Sequence, residues 1–288
     1  MRTAERYLVV EAAAVGYAAY VASWRLAQRL SPLLAGYRKL PPAEKLEWDG
    51  RLPSTLHALV ITAAAVYLFL LSPVFSADHT GDAPFILRTS PASDAALGFS
   101  LGYFATDLVQ LVLHYPAFGG VEMGLHHVAA LASVAAAAVQ GHAHAYTLAL
   151  LATEATTPFV NLRHILDKAG WREHPVYAAN GLALVLSWLV ARILLFLKFF
   201  EHVVQHMGEF HLISPLSRAL IYSVPPALFA LNVLWFAKIV KGALKLFVRH
   251  PTHGKGARER LQAAAVAAAQ PAGPALPLAA DAKGGKEL

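Results

Sequence analysis

His126 and His127 are the residues of this chain best suited to chemistry. They stand at the head of an apolar run that extends to residue 139. Two imidazoles beside hydrocarbon are costly unless they pair, face a cavity or take part in a reaction. An imidazole can act as a general base or a nucleophile, particularly when a carboxylate orients it. Glu154 and Asp107 are carboxylates in other apolar segments that fit this role, so we predict a polar site around the histidine pair.

The composition indicates a polytopic membrane protein. Of 288 residues, 57% are hydrophobic and 15% are charged, whereas soluble domains carry about 25% charged residues. Several apolar stretches reach the length of about 20 residues that a helix needs to cross a bilayer, and none alternates as a strand does. We predict an all-α bundle of six or seven transmembrane helices, at residues 7–30, 53–71, 96–113, 125–140, 143–160, 176–200 and 219–246. The short turn between the fourth and fifth spans predicts a tight hairpin or a broken helix.

The basic residues lie at the ends of these helices, so the net charge of +6 indicates membrane topology and not nucleic-acid binding. They concentrate between the first and second spans, between the fifth and sixth, and after the seventh. The positive-inside rule places these segments and the C-terminus in the cytoplasm. We divide the chain into an N-terminal helix with a basic loop (1–46), a membrane domain (47–247) and a disordered cytoplasmic tail (248–288).

This topology brings polar positions from several helices to the cytoplasmic half of the bundle. The third and fifth spans each carry a polar stripe at i, i+3 and i+7, which is one helix face. The second span begins with Ser54 and His57, and the fourth begins with the histidine pair. Arg192 in the sixth span is a further candidate for a lipid headgroup. The residues of the two stripes are Asp107, Gln110 and His114 on the third span and Glu154, Thr157 and Asn161 on the fifth.

Two interpretations of these polar residues are open at this point. One is a functional polar cavity in the cytoplasmic half of the bundle. The other is structural, because polar side chains also join membrane helices without any reaction, at about 0.6 kcal/mol per hydrogen bond.

The chain has no cysteine, no HExxH motif, no Walker motif and no GxSxG elbow, and too few clustered histidines for a di-iron oxygenase. We therefore predict no metal and no cofactor.

Several segments together resemble the TLC-domain family. They are Trp48–Arg51, Ser54–Ala58, Gly102–Asp107, His126-His127, Glu154–Asn161 and Leu231–Phe236. The resemblance covers residues 47 to 245. The family includes ceramide synthases, translocating-chain-associated membrane proteins and lipid-homeostasis proteins. This chain is most similar to members that are not ceramide synthases.

The resemblance implies a site and a chemistry. Ceramide synthases N-acylate a sphingoid base with acyl-CoA, and His126 and His127 match their histidine pair. Glu154 stands near the first of two later aspartates of those enzymes, whereas Thr157 falls where the second is expected. The chain thus departs from the ceramide synthases at the acidic pair, and it also lacks their homeobox-like domain.

Two functions follow as expectations. The first is a protein of membrane lipid homeostasis that binds lipid or acyl chains in a cavity open to the cytoplasmic half. The second is an acyl-CoA-dependent N-acyltransferase. Both have membrane lipids as partners, and the resemblance implies the endoplasmic reticulum in preference to the plasma membrane. The expected catalytic residues are His126, His127, Glu154 and Asp107, and the expected lipid-binding residues are His57, Gln110, His114, Thr157, Asn161 and Arg192.

Overall fold

The computed structural model describes residues 3–76, 81, 83–116 and 118–249, and every regular element within them is helical. Residues Met1–Ala243 form one compact unit, and a second unit spans Leu244–Leu288. Of the predicted disordered tail, residues 250–288 lie outside the described residues. The α-helices are α1 (Thr3–Leu30), α2 (Ala35–Arg38), α3 (Pro42–Asp49), α4 (Arg51–Val66), α5 (Pro91–Leu113), α6 (Val121–Gln140), α7 (His144–Leu151), α8 (Thr157–Lys168), α9 (Pro175–Trp188), α10 (Leu195–Gln205) and α11 (Pro215–Arg249).

Six helical segments in the described part of the chain are long and apolar enough to cross a membrane. The π-helical turns Tyr67–Leu71 and Leu189–Leu194 extend α4 and join α9 to α10. The prediction of an all-α membrane bundle is therefore confirmed. The six segments are Glu5–Leu33, Pro42–Leu71, Pro91–Leu113, Val121–Gln140, Pro175–Gln205 and Pro215–Lys245.

The predicted fifth span, residues 143–160, is not one continuous helix. It consists of α7, a 3₁₀ segment at Ala152–Thr156 and the start of α8. Pro158 has no amide hydrogen to donate to the carbonyl of Glu154, so the regular helical pattern cannot continue through this point. The chain resumes as α8 with the proline in its first turn. The break leaves Glu154 on an irregular turn inside the bundle.

Glycines bring α1 and α5 into backbone contact. A Cβ atom built on Gly102 would lie 2.0 Å from the carbonyl oxygen of Ala13, and one built on Gly16 would lie 2.1 Å from that of Phe99. Gly98, one turn before Gly102, approaches Val9 in the same way. Small residues spaced four apart allow membrane helices to approach this closely. The contact fixes α1 against the helix that carries Asp107.

Candidate functional site

A pocket of about 410 Å³ lies among the helices of the first unit. Residues of α4, α5, α6, α8, α9 and α11 line it, and its wall combines aromatic, aliphatic and ionisable side chains. The predicted catalytic residues all line this pocket, together with several of the predicted lipid-binding residues. Those present are Asp107, His126, His127, Glu154, Thr157, Asn161 and Arg192.

His127 is held by two acceptors. Its Nε2 atom lies 2.6 Å from Oδ2 of Asp107, and its Nδ1 atom lies 2.9 Å from the carbonyl oxygen of Met123 one turn earlier. The second carboxylate oxygen, Oδ1, accepts a 3.0 Å hydrogen bond from the hydroxyl of Tyr20 in α1. A carbonyl can only accept, so Nδ1 carries a proton. The remaining proton of the pair lies between Nε2 and the carboxylate, and His127 offers no free lone pair to the pocket.

His126 differs from its neighbour because its Nδ1 atom is buried without a hydrogen-bond partner among the described residues. Its ring packs edge-on against Trp235 of α11 at 5.8 Å and against His127 at 5.5 Å. A buried polar atom without a partner ordinarily costs about 1–3 kcal/mol, which is why such atoms mark functional sites. His126 is therefore the histidine of the pair with a ring nitrogen left unpaired among the described residues.

Glu154 is paired with Arg192 and not with a histidine. The guanidinium Nη2 donates to Oε1 of Glu154 at 3.2 Å, and the hydroxyl of Thr157 donates to Oε2 at 2.6 Å. The other donors of Arg192 reach Thr156 at 2.8 Å and Asn232 at 3.3 Å. Arg192 lies in the π-helical turn, and such turns redirect side chains at functional sites. Of the two carboxylates expected to orient a histidine, Asp107 is the one that contacts His127.

Asn161 joins α8 to the start of α4 at one end of the pocket. Its amide nitrogen is 2.7 Å from the hydroxyl of Ser54 and 2.8 Å from that of Thr55. Its oxygen accepts a hydrogen bond of 3.2 Å from Arg51, which also forms an ion pair with Glu47. Asn161 is buried, and this network shows that it holds α8 against α4 at the edge of the pocket.

His164, one turn beyond Asn161 and outside the predicted spans, contacts the same group of charges. Its Nδ1 atom lies 3.6 Å from Oε1 of Glu47. Burial, together with the positive charge of Arg51, lowers the pKa of His164 to about 4, although Glu47 opposes the shift. His164 is therefore neutral at physiological pH, and the positive charge near it comes from arginine and lysine.

Three of the expected lipid-binding residues are not brought to this pocket. His57 is buried, is stacked on Tyr103 at 3.9 Å and lies 3.1 Å from the hydroxyl of Ser100, so it is part of the helix packing. Gln110 lines a different cavity of about 640 Å³ between α1 and α5. The ring of His114 packs near Phe118, at the end of α5.

Other residues at the site were not expected from the sequence. Tyr20 does not line the pocket and reaches the histidine pair only through Asp107, while Trp188 and Trp235 form part of the aromatic wall. Arg163 and Lys238 add positive charge to the lining. The closely spaced glycines of α5 were a signal in the sequence for the approach of α1. Arg163 gave no such signal, because it stands two residues after the end of the predicted polar stripe.

The ionisable residues of the pocket do not form a metal site. In the part of the chain that the structure describes, no group of three or more histidine, aspartate or glutamate residues could hold a metal ion. The arrangement offers one imidazole acceptor, an oriented histidine–carboxylate pair and apolar walls. Such a pocket can hold an amphipathic molecule with its polar end near His126.

The fold and the pocket define a multi-pass integral membrane protein, and comparison with known proteins gives its family. The TLC domain model matches residues 47–241. The chain therefore belongs to the TLC-domain family, as its sequence motifs indicated.

The chain is similar to several proteins named TLC domain-containing protein 4. It is 28% identical to protein 4-B of Danio rerio over 75% of this chain and 83% of the relative. It is 26% identical to protein 4-B of Xenopus laevis, over 74% and 80%, and 26% identical to protein 4 of Homo sapiens, over 79% and 84%. No solved structure gives a significant match. The expected similarity to members other than ceramide synthases is confirmed.

Proposed function

We propose that this protein binds a membrane lipid, or the acyl chain of one, in the pocket around His126 and acts in membrane lipid homeostasis. The observation that carries the proposal is the unpartnered Nδ1 atom of His126 in a pocket with apolar walls. The positive-inside rule orients the pocket toward the cytoplasmic half of the membrane, and the family resemblance favours the endoplasmic reticulum.

The pocket has the two chemical regions that an amphipathic ligand needs. Phe104, Leu111 and Trp188 supply apolar surface, and the cluster around Glu154 and Arg192 supplies fixed polar groups. A smaller cavity of about 30 Å³ shares Phe104, His126 and Glu154 with the main pocket and continues among aliphatic side chains. Pockets for small molecules ordinarily have volumes of about 300–1,000 Å³, so the main pocket is large enough for part of a lipid.

The test is to purify the full-length protein from membranes and identify retained lipid by mass spectrometry after delipidating washes. The wild type should retain a defined lipid class in a fixed ratio to protein. A His126→Phe variant, which keeps an aromatic ring but removes the acceptor, should lose most of it. His211→Phe changes an exposed histidine and serves as the matched control. Retention equal to that of an unrelated membrane protein would contradict the proposal.

The second candidate is acyl transfer from acyl-CoA to an amine, and the free acceptor of His126 favours it specifically. The amine nitrogen would attack the thioester carbonyl, forming the C–N bond and breaking the C–S bond. His126 would take the proton that the amine loses and return it to the departing thiolate as CoA-SH. His127, held by Asp107, would position the neighbouring ring.

A direct assay separates the two functions. Purified protein is incubated with acyl-CoA and a panel of long-chain amines, and products are read by mass spectrometry. An N-acyl product that disappears in His126→Ala and persists in His211→Ala would establish transfer. Retained lipid without any product, at protein concentrations that bind acyl-CoA, would establish the binding function alone.

A further inference from the structure

Two cations in the lining of the pocket have no carboxylate partner. Arg51 pairs with Glu47, Arg192 with Glu154, and Asp107 with His127. None of the ion pairs found within the described ranges involves Arg163 or Lys238, although both line the pocket. The carboxylates that line the pocket are paired with other groups, so these two side chains add positive charge to the lining.

Arg163 is held in place without a close ion pair, although its charge acts on the carboxylate of Asp167, one turn later in α8. Its guanidinium carbon lies 4.9 Å from the centre of the Tyr177 ring in α9. A Cβ atom built on Gly181 would lie 3.4 Å from Nη1, and one built on Gly242 would lie 3.5 Å from Nη2. The guanidinium therefore lies against the backbones of α9 and α11, which differs from an arginine that extends freely to the headgroup region. A planar cation fixed in this way is suited to an oxyanion.

We propose that Arg163 and Lys238 bind the phosphate group of a phosphate ester whose apolar chain occupies the pocket. This inference rests on the proposed lipid-binding function and specifies the chemical class of the ligand. Lys238 lies on α11 one turn beyond Trp235, which contacts His126. The phosphate thus lies toward the end of the pocket formed by α8, α9 and α11, with His126 farther along the same cavity.

Two sources supply this chemistry, a glycerophospholipid and the coenzyme A of an acyl-CoA. Each carries phosphate oxygens on a molecule with an acyl chain, and either satisfies two cations equally well. A free amine or a neutral diacylglycerol carries no phosphate oxygens and cannot neutralise the two cations. The charge of the pocket therefore separates phosphate esters from sphingoid bases and neutral lipids, and the experiment has to separate the two phosphate sources.

The experiment measures binding of chain-matched probes to the full-length protein in neutral detergent. The probes are dioctanoylglycerol, dioctanoyl phosphatidic acid and octanoyl-CoA, each competing with a brominated phosphatidic acid that quenches the fluorescence of Trp188 and Trp235. Phosphatidic acid should bind about 10–100-fold more tightly than dioctanoylglycerol, because each charge-assisted hydrogen bond is worth up to one or two factors of ten.

Matched variants assign this preference to the two cations. Arg163→Gln and Lys238→Gln should each reduce it about tenfold, and the double variant should bind phosphatidic acid and dioctanoylglycerol alike. Lys241→Gln removes the same charge from the same helix, at a position that is exposed, as Lys238 is, but that does not line the pocket. It should leave the preference unchanged. Thermal unfolding of each variant checks that the fold is intact, and Arg163→Lys, which keeps the charge, should retain part of the preference.

The outcomes are distinct. Equal affinity of the wild type for phosphatidic acid and dioctanoylglycerol would overturn this inference and leave the lipid-binding function intact, whereas binding of neither probe would overturn both. A loss in Lys241→Gln as large as that in Lys238→Gln would also overturn it, because the effect would then be general surface charge. Displacement by octanoyl-CoA that depends on Arg163 identifies coenzyme A as the source, and displacement by phosphatidic acid alone identifies a phospholipid.

Discussion

Tyr20 donates a hydrogen bond of 3.0 Å to Asp107, and through this contact α1 helps to hold the histidine pair in position. Asp107 in turn binds His127 through its other oxygen at 2.6 Å. Because the match to the TLC domain begins at residue 47, Tyr20 lies outside the matched region. The N-terminal helix is therefore part of the structure that orients His127, and it does more than anchor the chain in the membrane.

The glycine contact between α1 and α5 should control this support. In Gly102→Val, the new side chain would collide with the carbonyl of Ala13, because even a Cβ atom would lie 2.0 Å from that oxygen. We expect α1 to move away, with a loss of about 1–3 kcal/mol in the free energy of unfolding. Thermal unfolding in detergent measures it. Gly208→Ala is the control, since nothing lies within 4 Å of a Cβ atom there. Equal stability of the two variants would show that the helices can separate without cost.

Asp107→Asn and Asp107→Ala should separate the charge of Asp107 from its hydrogen bonds. An asparagine can donate to Nε2 of a neutral His127 and accept from Tyr20, so we expect a loss below about 1 kcal/mol. Alanine leaves both partners unpaired, at about 1–3 kcal/mol for each group. Unfolding measurements give the two values, and nitrogen NMR of labelled histidine should show that Nε2 loses its proton in Asp107→Asn. Equal destabilisation by the two substitutions would contradict the proton arrangement described for His127.

The sequence was sufficient to predict which stripes meet, and it was less informative about how each helix is rotated. Asp107 and Gln110 are three residues apart and share a broad face, but one enters the pocket and the other faces α1. His57 is polar and lies one turn after Ser54, but its ring is buried against Tyr103. Helix rotation depends on the sum of distant packing contacts, which residue spacing does not contain.

The break between α7 and α8 illustrates the opposite case, in which a local rule was informative. A proline in a helical segment disturbs the regular hydrogen bonding, and the structure has a 3₁₀ segment beside Pro158. The partner of Glu154 could not be predicted in the same way. Arg192 reaches it from a π-helical turn, and that irregular turn has no signal in the hydrophobic pattern.

The Glu154–Arg192 pair should behave as a buried ion pair. Replacing either residue by leucine leaves the other charge without its partner, which costs about 3–5 kcal/mol. Replacing both removes the charges together, so the double variant should be less destabilised than the sum of the single variants by about 1–3 kcal/mol. Thermal unfolding of the four proteins supplies the cycle. The exposed pair Lys198 and Glu201 is the control and should show a coupling below about 1 kcal/mol. Additive effects at Glu154 and Arg192 would contradict a direct interaction.

The partly buried His164 should make stability depend on pH. Burial and Arg51 lower its folded-state pKa to about 4, below the value of 6.5 for an unfolded histidine. The folded state therefore favours the neutral ring, and the unfolded state binds a proton first as the pH falls. The stabilisation by His164 is fully present above pH 6.5 and is lost as the pH falls from 6.5 toward 4.

The size of this loss should be about 1–2 kcal/mol, because the partial exposure of the ring screens the charge. Unfolding temperatures of the wild type and of His164→Gln are measured at intervals from pH 7.5 to pH 4.5. Their difference should be constant above pH 6.5, and the wild type should lose stability relative to the variant as the pH falls from 6.5 to 4.5. Glutamine does not titrate, so its variant shows only the pH dependence of the other groups. His211→Gln, at an exposed position, should follow the wild type throughout. If His164→Gln loses as much stability between pH 6.5 and pH 4.5 as the wild type does, then His164 is not the group whose burial makes this end of the bundle sensitive to acid.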